Sequence, residues 1–208
     1  MLPAVPIAFI AGASGFTGRA LLAELARTTS GWRARPHARA AGRLDHPDAV
    51  VCDPRDVAAL TAGMRGCDAV VQLIGTIRKN FDQGDYETID YGTTVALGEA
   101  ARAAGVPRFL LLSSVGAGTP RGRYLRVKRQ TEEWVEKSGL TYTIVRPSFI
   151  VGEGRLAGKM LGAFMFYSAK LRAIEVDDLA RVIVRALERP DQVNGKILEG
   201  KSMWALLE

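Results

Sequence analysis

The sequence predicts an α/β protein built on a doubly wound, mostly parallel sheet with helices on both faces. Short apolar or β-branched segments alternate along the chain with segments whose apolar residues recur at helical spacing. Parallel strands need crossover connections, and helices of this kind provide them. With 208 residues, 48% of them hydrophobic, the chain suits one globular domain over residues 1–208.

The predicted strands are apolar segments bounded by Asp, Gly, Pro or Ser. They cover residues 5–11, 50–52, 69–74, 108–112 and 142–145. A further strand is expected over 32–39, although Pro36 and His37 stand in its middle and a proline there removes a ladder hydrogen bond.

The clearest helical patterns cover residues 86–104, 124–137 and 177–187, and Asp177 is expected to cap the last of them. An earlier pattern begins near Phe16, just after Ser14, whose hydroxyl can cap free backbone N–H groups.

Charge and cysteine content limit the setting of the protein. The net charge of +6 favours anionic ligands such as phosphates. Cys52 and Cys67 have neither zinc nor dithiol spacing, so we expect a reduced, cytoplasmic environment. No segment approaches membrane-spanning length, and His37 and His46 lack ligand partners at metal spacing, so neither membrane insertion nor a metal site is expected.

A glycine-rich turn follows the first predicted strand and precedes the first helix. It contains Gly12, Gly15 and Gly18. Such a turn lets the backbone approach a pyrophosphate and directs a helix N-terminus at its charge. We therefore predict dinucleotide binding, with a merely structural turn as the alternative.

The residues after the second strand discriminate between the two nicotinamide cofactors. An acidic residue there would hold a free ribose 2′-hydroxyl, but the first acid is Asp45. Arg39 and Arg43 can instead pair with a 2′-phosphate, so NADP is favoured over NAD unless these arginines form only a solvated face. Asp53, after the third strand, is expected to accept the adenine amino group or to cap the next helix.

Tyr124 and Lys128 are four residues apart on a predicted helix and therefore share one face. An ammonium group favours the ionised form of a nearby phenol, which suits general acid–base work. Ser113 and Ser114 end the fifth strand, at the edge where open α/β sheets bind ligands, and a hydroxyl there can hold a carbonyl oxygen. A surface pair and a turn-forming serine are the structural alternatives.

A basic cluster also surrounds the tyrosine. It consists of Arg121, Arg123, Arg126, Lys128 and Arg129. Nucleic-acid binding is disfavoured, because only Tyr124 could stack on a base and the same charges face the expected cofactor cleft.

Taken together, these residues resemble the atypical and extended short-chain dehydrogenase/reductases, in particular small NAD(P)H-binding proteins similar to the Tat-interacting oxidoreductase and the NmrA-like group. The matching segments are GASGFTG at 12–18, VVQLIGT at 70–76, LLSSVGA at 111–117, YLRVK at 124–128 and VRPSF at 145–149. Their order along the chain is more specific than any one of them.

The resemblance implies a Rossmann fold with NADP lying across the strand ends. The pyrophosphate would be met by Gly12, Ser14, Gly15, Phe16, Thr17 and Gly18. Arg39 and Asp53 would lie on the adenosine side, and the wall beside the ribose would be Leu73, Ile74 and Gly75. Lys128 would bond the nicotinamide ribose, and Pro147 and Ser148 would border the nicotinamide.

The resemblance implies an NADP-dependent oxidoreductase acting on a small carbonyl or quinone-like substrate. Extended members often have Asn where this chain has Asp90. They also carry a larger region after the position of Pro147, and for that reason a bulky nucleotide-sugar substrate is not expected here. The alternative is an NADP(H)-binding regulatory or assembly protein without turnover. Residues 160–167 are apolar and are expected to form a buried helix, a pocket lid, a membrane-leaning helix or a homodimer contact.

Overall fold

A computed structural model describes residues 5–27, 31–76, 86–153 and 171–208 of the chain. Seven parallel strands form one sheet in the spatial order β3-β2-β1-β4-β5-β6-β9. They are β1 (Ile7–Ala11), β2 (Arg33–Ala38), β3 (Val50–Val51), β4 (Ala69–Gln72), β5 (Arg108–Leu112), β6 (Thr141–Arg146) and β9 (Lys196–Glu199). A separate parallel pair joins β7 (Ile150–Val151) to β8 (Ile174–Glu175). The predicted fold class is confirmed.

Helices connect these strands and cover both faces of the sheet. They are α1 (Phe16–Arg27), α2 (Val57–Met64), α3 (Thr93–Ala104), α4 (Gly122–Lys137), α5 (Val176–Glu188) and the short α6 (Pro190–Val193) and α7 (Lys201–Trp204). A π-helical segment, Glu87–Gly92, leads directly into α3. The chain runs outwards from β1 to β3 and then returns to β4 on the other side of β1, which opens a crevice at the carboxyl ends of β1 and β4.

Adjacent residues of β1 supply both layers of the core. Ile10 packs in the cluster that contains Leu21 of α1 and Leu179 of α5. Phe9 points to the opposite face, in the cluster with Leu60 of α2 and Leu97 of α3. Because successive side chains of a strand face opposite ways, a strand covered on both sides is continuously apolar, as the sequence of β1 is.

Pro36 lies inside β2 without breaking the sheet. The Ala38 carbonyl accepts a hydrogen bond from Cys52 N, so Pro36, two residues earlier, directs its nitrogen to the same side. On that side β3 begins only at Val50, which pairs with His37. No strand faces the Pro36 nitrogen, and the missing N–H therefore costs no ladder bond.

The expected cap at Asp177 is wrong, and so is helix capping as the alternative role of Asp53. Helix α5 begins at Val176 with Glu175 at its cap position, so Asp177 lies within the first turn, where a carboxylate still favours the helix dipole. Helix α2 is capped by Asp56, whose Oδ1 accepts a hydrogen bond from Ala59 N at 3.0 Å, so Asp53 does not cap it.

Other predicted elements differ at their ends. The strand expected over 69–74 stops at Gln72, and the helix expected over 86–104 begins with π-helical hydrogen bonding. Residues 160–167, for which a buried helix, a lid, a membrane-leaning helix or a dimer contact was expected, lie outside the described residues. Within the described ranges, no helix combines the length and apolarity that crossing a bilayer requires.

Candidate functional site

A cleft of about 410 Å³ opens at the carboxyl ends of the central strands. Its walls come from the glycine turn, the chain after β2, the chain after β3, the loop after β4 and the start of α3. The lining residues are Gly12, Ser14, Gly15, His37, Ala38, Arg39, Arg43, Asp53, Pro54, Arg55, Leu73, Ile74, Gly75, Thr76, Thr88, Ile89 and Thr93. Sequence positions far apart thus form one continuous surface.

Two of the three glycines in the glycine turn are required for different steric reasons. Gly12 has φ +84°, and a Cβ on it would lie 3.0 Å from Ile74 N in the loop after β4. A Cβ on Gly18 would lie only 2.3 Å from the Gly12 carbonyl oxygen. The absence of side chains therefore lets α1 start close against β1 and lets the turn approach the neighbouring loop.

The predicted pyrophosphate residues divide into two groups. Gly12, Ser14 and Gly15 line the cleft. Phe16, Thr17 and Gly18 instead form the first turn of α1 and are not among the described residues that line the cleft. The free backbone N–H groups of such a helix start suit an anion, so the turn fits a diphosphate.

One end of the cleft carries most of its charge. The predicted Arg39, Arg43 and Asp53 all line it, and Arg55 is an additional arginine that sequence reasoning missed. Among the described residues that line the cleft, Asp53 is the only Asp or Glu, and it accepts hydrogen bonds from Arg55 N, Nε and a terminal guanidinium nitrogen at 2.9, 3.2 and 3.1 Å. These bonds lower the pKa of Asp53, so the carboxylate is ionised and already paired.

His37 is a second lining residue without a predicted role. It is buried, and its Nε2 lies 3.0 Å from the Cys52 carbonyl oxygen, so Nε2 carries the hydrogen. Burial lowers the pKa of His37, which keeps the ring neutral. The position of His37 near the end of the predicted second strand could have placed it at the cleft, but Pro36 made the prediction of that strand uncertain.

The loop after β4 contributes the predicted Leu73, Ile74 and Gly75 to the wall. Gln72 explains why the strand ends here. Its buried side chain accepts a hydrogen bond from Ile74 N at 2.8 Å and donates one to Thr94 Oγ1 at 2.9 Å. The side chain thus replaces ladder bonds and fastens the loop to α3.

Tyr124 and Lys128 share one face of α4, as predicted, but Lys128 has a partner that the sequence did not reveal. Its Nζ lies 2.8 Å from Oδ1 of the buried Asp90 and 5.8 Å from the centre of the Tyr124 ring. The Tyr124 ring also contacts the Tyr86 ring edge-on, with 5.4 Å between centroids. Burial is the largest single effect and lowers the pKa of Lys128, but the charge and hydrogen bond of Asp90 together with the charges of Tyr124 and Glu132 outweigh it, and the pKa is raised.

The remaining predicted site residues follow β5 and β6. Ser113 is buried and its Oγ has no hydrogen-bond partner among the described residues, whereas Ser114 Oγ donates to the Val115 carbonyl at 3.3 Å. The Pro147 carbonyl accepts from Val115 N at 2.8 Å, and Ser148 Oγ donates to the Arg172 carbonyl. The segment that contains Ser113 and Ser114 is therefore adjacent to the segment that contains Pro147 and Ser148.

Gly75 connects the two groups of site residues. It lines the cleft, whereas Tyr124, Lys128, Ser113, Ser114, Pro147 and Ser148 do not. A Cβ on Gly75 would lie 3.0 Å from Asp90 Oδ1 and 3.1 Å from Lys128 Nζ. The buried ion pair is thus directly behind the cleft wall.

Several cations of the basic cluster are already neutralised. Arg123 forms two hydrogen bonds with Glu87, and Arg129 contacts Glu132, Glu133 and Glu136. Among the described residues, no three His, Cys, Asp or Glu side chains are grouped so that they could hold a metal ion.

Comparison with known proteins adds a family to this geometry. A family model described as NAD(P)H-binding matches residues 12–190. The oxidoreductase ylbE from Lactococcus lactis has a similar structure, with a TM-score of 0.73 and 23% identity over 97% of this chain and 96% of that one. At this identity the likeness shows the fold alone.

Two curated relatives are similar in sequence. A ceramide reductase from Caulobacter vibrioides is 30% identical over 87% of this chain and 61% of its own length. The mitochondrial NADH dehydrogenase [ubiquinone] 1 alpha subcomplex subunit 9 from Arabidopsis thaliana is 29% identical over 93% of this chain and 53% of its own length. The chain thus spans between about half and two thirds of these relatives.

Proposed function

This chain belongs to the NAD(P)H-binding family of atypical short-chain dehydrogenase/reductases, and from that premise we propose that it is an NADP-dependent reductase of a small carbonyl or quinone-like substrate. A nicotinamide dinucleotide is its cofactor. The choice of NADP, the substrate class and the roles of individual residues are the proposal.

The charge at one end of the cleft is the observation that carries the preference for NADP. Arg39, Arg43 and Arg55 line it, and Asp53, the single carboxylate that the described part of the lining contains, is already held by Arg55. A 2′-phosphate needs cationic donors, whereas a free ribose 2′-hydroxyl is usually held by an acidic residue. Arg39 and Arg43 would therefore hold the 2′-phosphate, while Gly12, Ser14 and Gly15 would meet the diphosphate.

The proposed chemistry uses the residues behind Gly75 and after β5 and β6. When bound, the reduced cofactor supplies hydride. Tyr124 donates a proton to the carbonyl oxygen of the substrate, and Ser113 or Ser114 holds that oxygen by a hydrogen bond. Lys128 lies beside the tyrosine ring and would bond the ribose next to the nicotinamide, which Pro147 and Ser148 would border.

A cofactor titration tests the arginine argument. NADPH should bind at least about tenfold more tightly than NADH, because charge-assisted hydrogen bonds to the 2′-phosphate are lost with NADH. The double variant Arg39→Gln/Arg43→Gln should bind the two nucleotides equally. The matched control is Arg33→Gln, because Arg33 lies at the start of β2, at the end of the strand opposite to Arg39, and pairs with Asp48. Equal affinities in the unaltered protein would contradict the choice of NADP.

Replacement of the tyrosine tests the proton donor. Tyr124→Phe should abolish reduction of aldehydes, ketones and quinones while NADPH affinity changes less than about twofold, because only the phenolic hydroxyl is removed. Tyr142→Phe, near the amino end of β6, is the control and should retain activity. Full activity of Tyr124→Phe would remove Tyr124 from the mechanism.

A cofactor-binding protein without turnover is the second candidate. Its support is the relative whose name assigns it to an NADH dehydrogenase complex, since a subunit can bind a nucleotide for stability or assembly. This candidate predicts NADPH binding together with no oxidation of NADPH across a panel of carbonyl compounds and quinones. Oxidation by any of them that depends on Tyr124 would favour the reductase.

A further inference from the structure

Asp90 is a deeply buried acid near the candidate active site. It is 1% exposed and lies in the π-helical segment that precedes α3. Oδ2 accepts a hydrogen bond from Thr76 N at 3.1 Å. Oδ1 lies 2.8 Å from Lys128 Nζ and has no other partner among the described residues.

Lys128 is also largely removed from water, with 7% of its side chain exposed. A buried ammonium group loses its hydration, and without a counter-charge it releases its proton instead of staying charged. A counter-charge close to Lys128 must therefore offset the cost of burial if Lys128 is to act as a cation.

The other charged and titratable groups facing Lys128 cannot replace Asp90. Glu132, one turn along α4, is held by two hydrogen bonds from Arg146 at 2.8 and 2.6 Å and also contacts Arg129. Tyr124, one turn earlier, presents its ring rather than a carboxylate. Asp90 supplies the one carboxylate that contacts Lys128 within the described chain.

We propose that Asp90 is a positioning residue, which keeps the Lys128 ammonium charged and fixed immediately behind Gly75. The proposal extends the proposed function, because it concerns the lysine expected to meet the cofactor ribose. Its core is nevertheless a property of the folded chain alone.

The first test follows stability against pH in Asp90→Asn. Asparagine retains an acceptor for Thr76 N but removes the charge of Asp90, so only Tyr124 and Glu132 still oppose burial, the largest effect, and we expect the pKa of Lys128 to fall below the ordinary 10.5. Between the lowered pKa of the folded state and the ordinary 10.5 of the unfolded state, the unfolded chain binds one more proton than the folded one. Stability therefore rises with pH in this window, and the equilibrium constant for unfolding should fall about tenfold per pH unit.

The matched reference is Asp90→Asn/Lys128→Met, which has no titrating amine at this position. Subtracting its pH profile removes the contributions of all other groups. A rising stability in Asp90→Asn relative to the double variant supports the proposal, and so does a single variant that fails to fold while the double variant folds. Parallel profiles would overturn it.

A direct measurement on the unaltered protein needs no stable variant at Asp90. The ¹³C-labelled ε-carbon of Lys128, assigned by its loss in Lys128→Met, should report a protonated amine up to at least pH 10.5. Deprotonation below that pH would refute the role of Asp90.

Cofactor affinity separates this inference from the proposed function. In Asp90→Asn, NADPH affinity should fall by about tenfold or more as the pH rises through the lysine titration, because a charge-assisted hydrogen bond to ribose is lost. In the unaltered protein and in Lys128→Met it should stay level. If NADPH binds with no pH dependence while stability behaves as expected, the ribose contact fails but the role of Asp90 stands.

Discussion

At the scale of single residues, Gly18 shows most directly why the turn before α1 has its sequence. It has no unusual backbone conformation, yet the position of a Cβ atom on it is occupied by backbone of the turn itself. Backbone atoms cannot rotate out of the way as a flexible side chain can. The constraint is therefore steric, and it links the start of α1 to β1 at the point where the cleft begins.

Gly18→Ala should consequently lower the free energy of unfolding by about 3 kcal/mol and weaken NADPH binding, because the start of α1 must move. Gly92→Ala is the control. Gly92 has φ −60°, and a Cβ on it would meet nothing closer than 3.5 Å, so that substitution should be neutral or slightly stabilising. Chemical denaturation of both variants and a nucleotide titration check this. Equal stabilities would mean that the turn relaxes freely.

At the scale of elements, two ion pairs connect α4 to the π-helical segment, and the two pairs differ in burial. Glu87 pairs with Arg123 at the surface, and Asp90 pairs with Lys128 in the interior. The wider π-helical turn is common at functional sites. Here it brings both acids of one segment to the face of α4 that carries Tyr124.

Two glutamates that bind arginine in the same two-bond manner allow burial to be tested. Glu132 is fully buried against Arg146, whereas Glu87 is 43% exposed beside Arg123. Glu132→Gln should cost about 3–5 kcal/mol of unfolding free energy, since the buried Arg146 guanidinium loses its hydrogen-bonded carboxylate and keeps only Glu199, at 3.9 Å. Glu87→Gln should cost about 1 kcal/mol or less. Denaturant unfolding at neutral pH measures both, and a similar cost for the two would show that water reaches Arg146.

At the scale of the whole molecule, the strand order assembles the cleft. Because β1 lies between β2 and β4, the glycine turn, the arginines after β2 and the loop after β4 meet at one edge. The arginines at this edge agree in sign with the net charge of +6. Long-range attraction and local contacts therefore both favour an anionic nucleotide.

Salt should weaken NADPH binding more than NADH binding. Arg39 and Arg43 are exposed, so their attraction for a 2′-phosphate is screened as the Debye length falls from about 10 Å at 0.1 M salt to about 3 Å at 1 M. Calorimetric titrations over that range measure the two slopes. In Arg39→Gln/Arg43→Gln the slopes should coincide. The same slope for both nucleotides in the unaltered protein would count against a 2′-phosphate contact.

Local sequence signals were sufficient for most elements and for part of the cleft. The glycine turn and the arginines after β2 could be predicted because each depends on chain neighbours, whereas the wall of Leu73, Ile74 and Gly75 was expected only from the family resemblance. β2 was uncertain, since whether Pro36 is tolerated depends on where β3 begins. The roles of His37, Arg55 and Asp90 were missed because their partners are set by folding or by side-chain geometry that spacing does not encode.

The sequence by itself determined the alternation of strands and helices, the turn before α1 and the shared face of Tyr124 and Lys128, because apolar periodicity, glycine and helical spacing act over a few residues. Only the tertiary structure decided that Asp90 neutralises Lys128 and that Arg55 holds Asp53. A charged side chain pairs with an opposite charge that lies close in space, whatever its position in the sequence. Burial makes such a pair necessary, because water no longer competes as a partner.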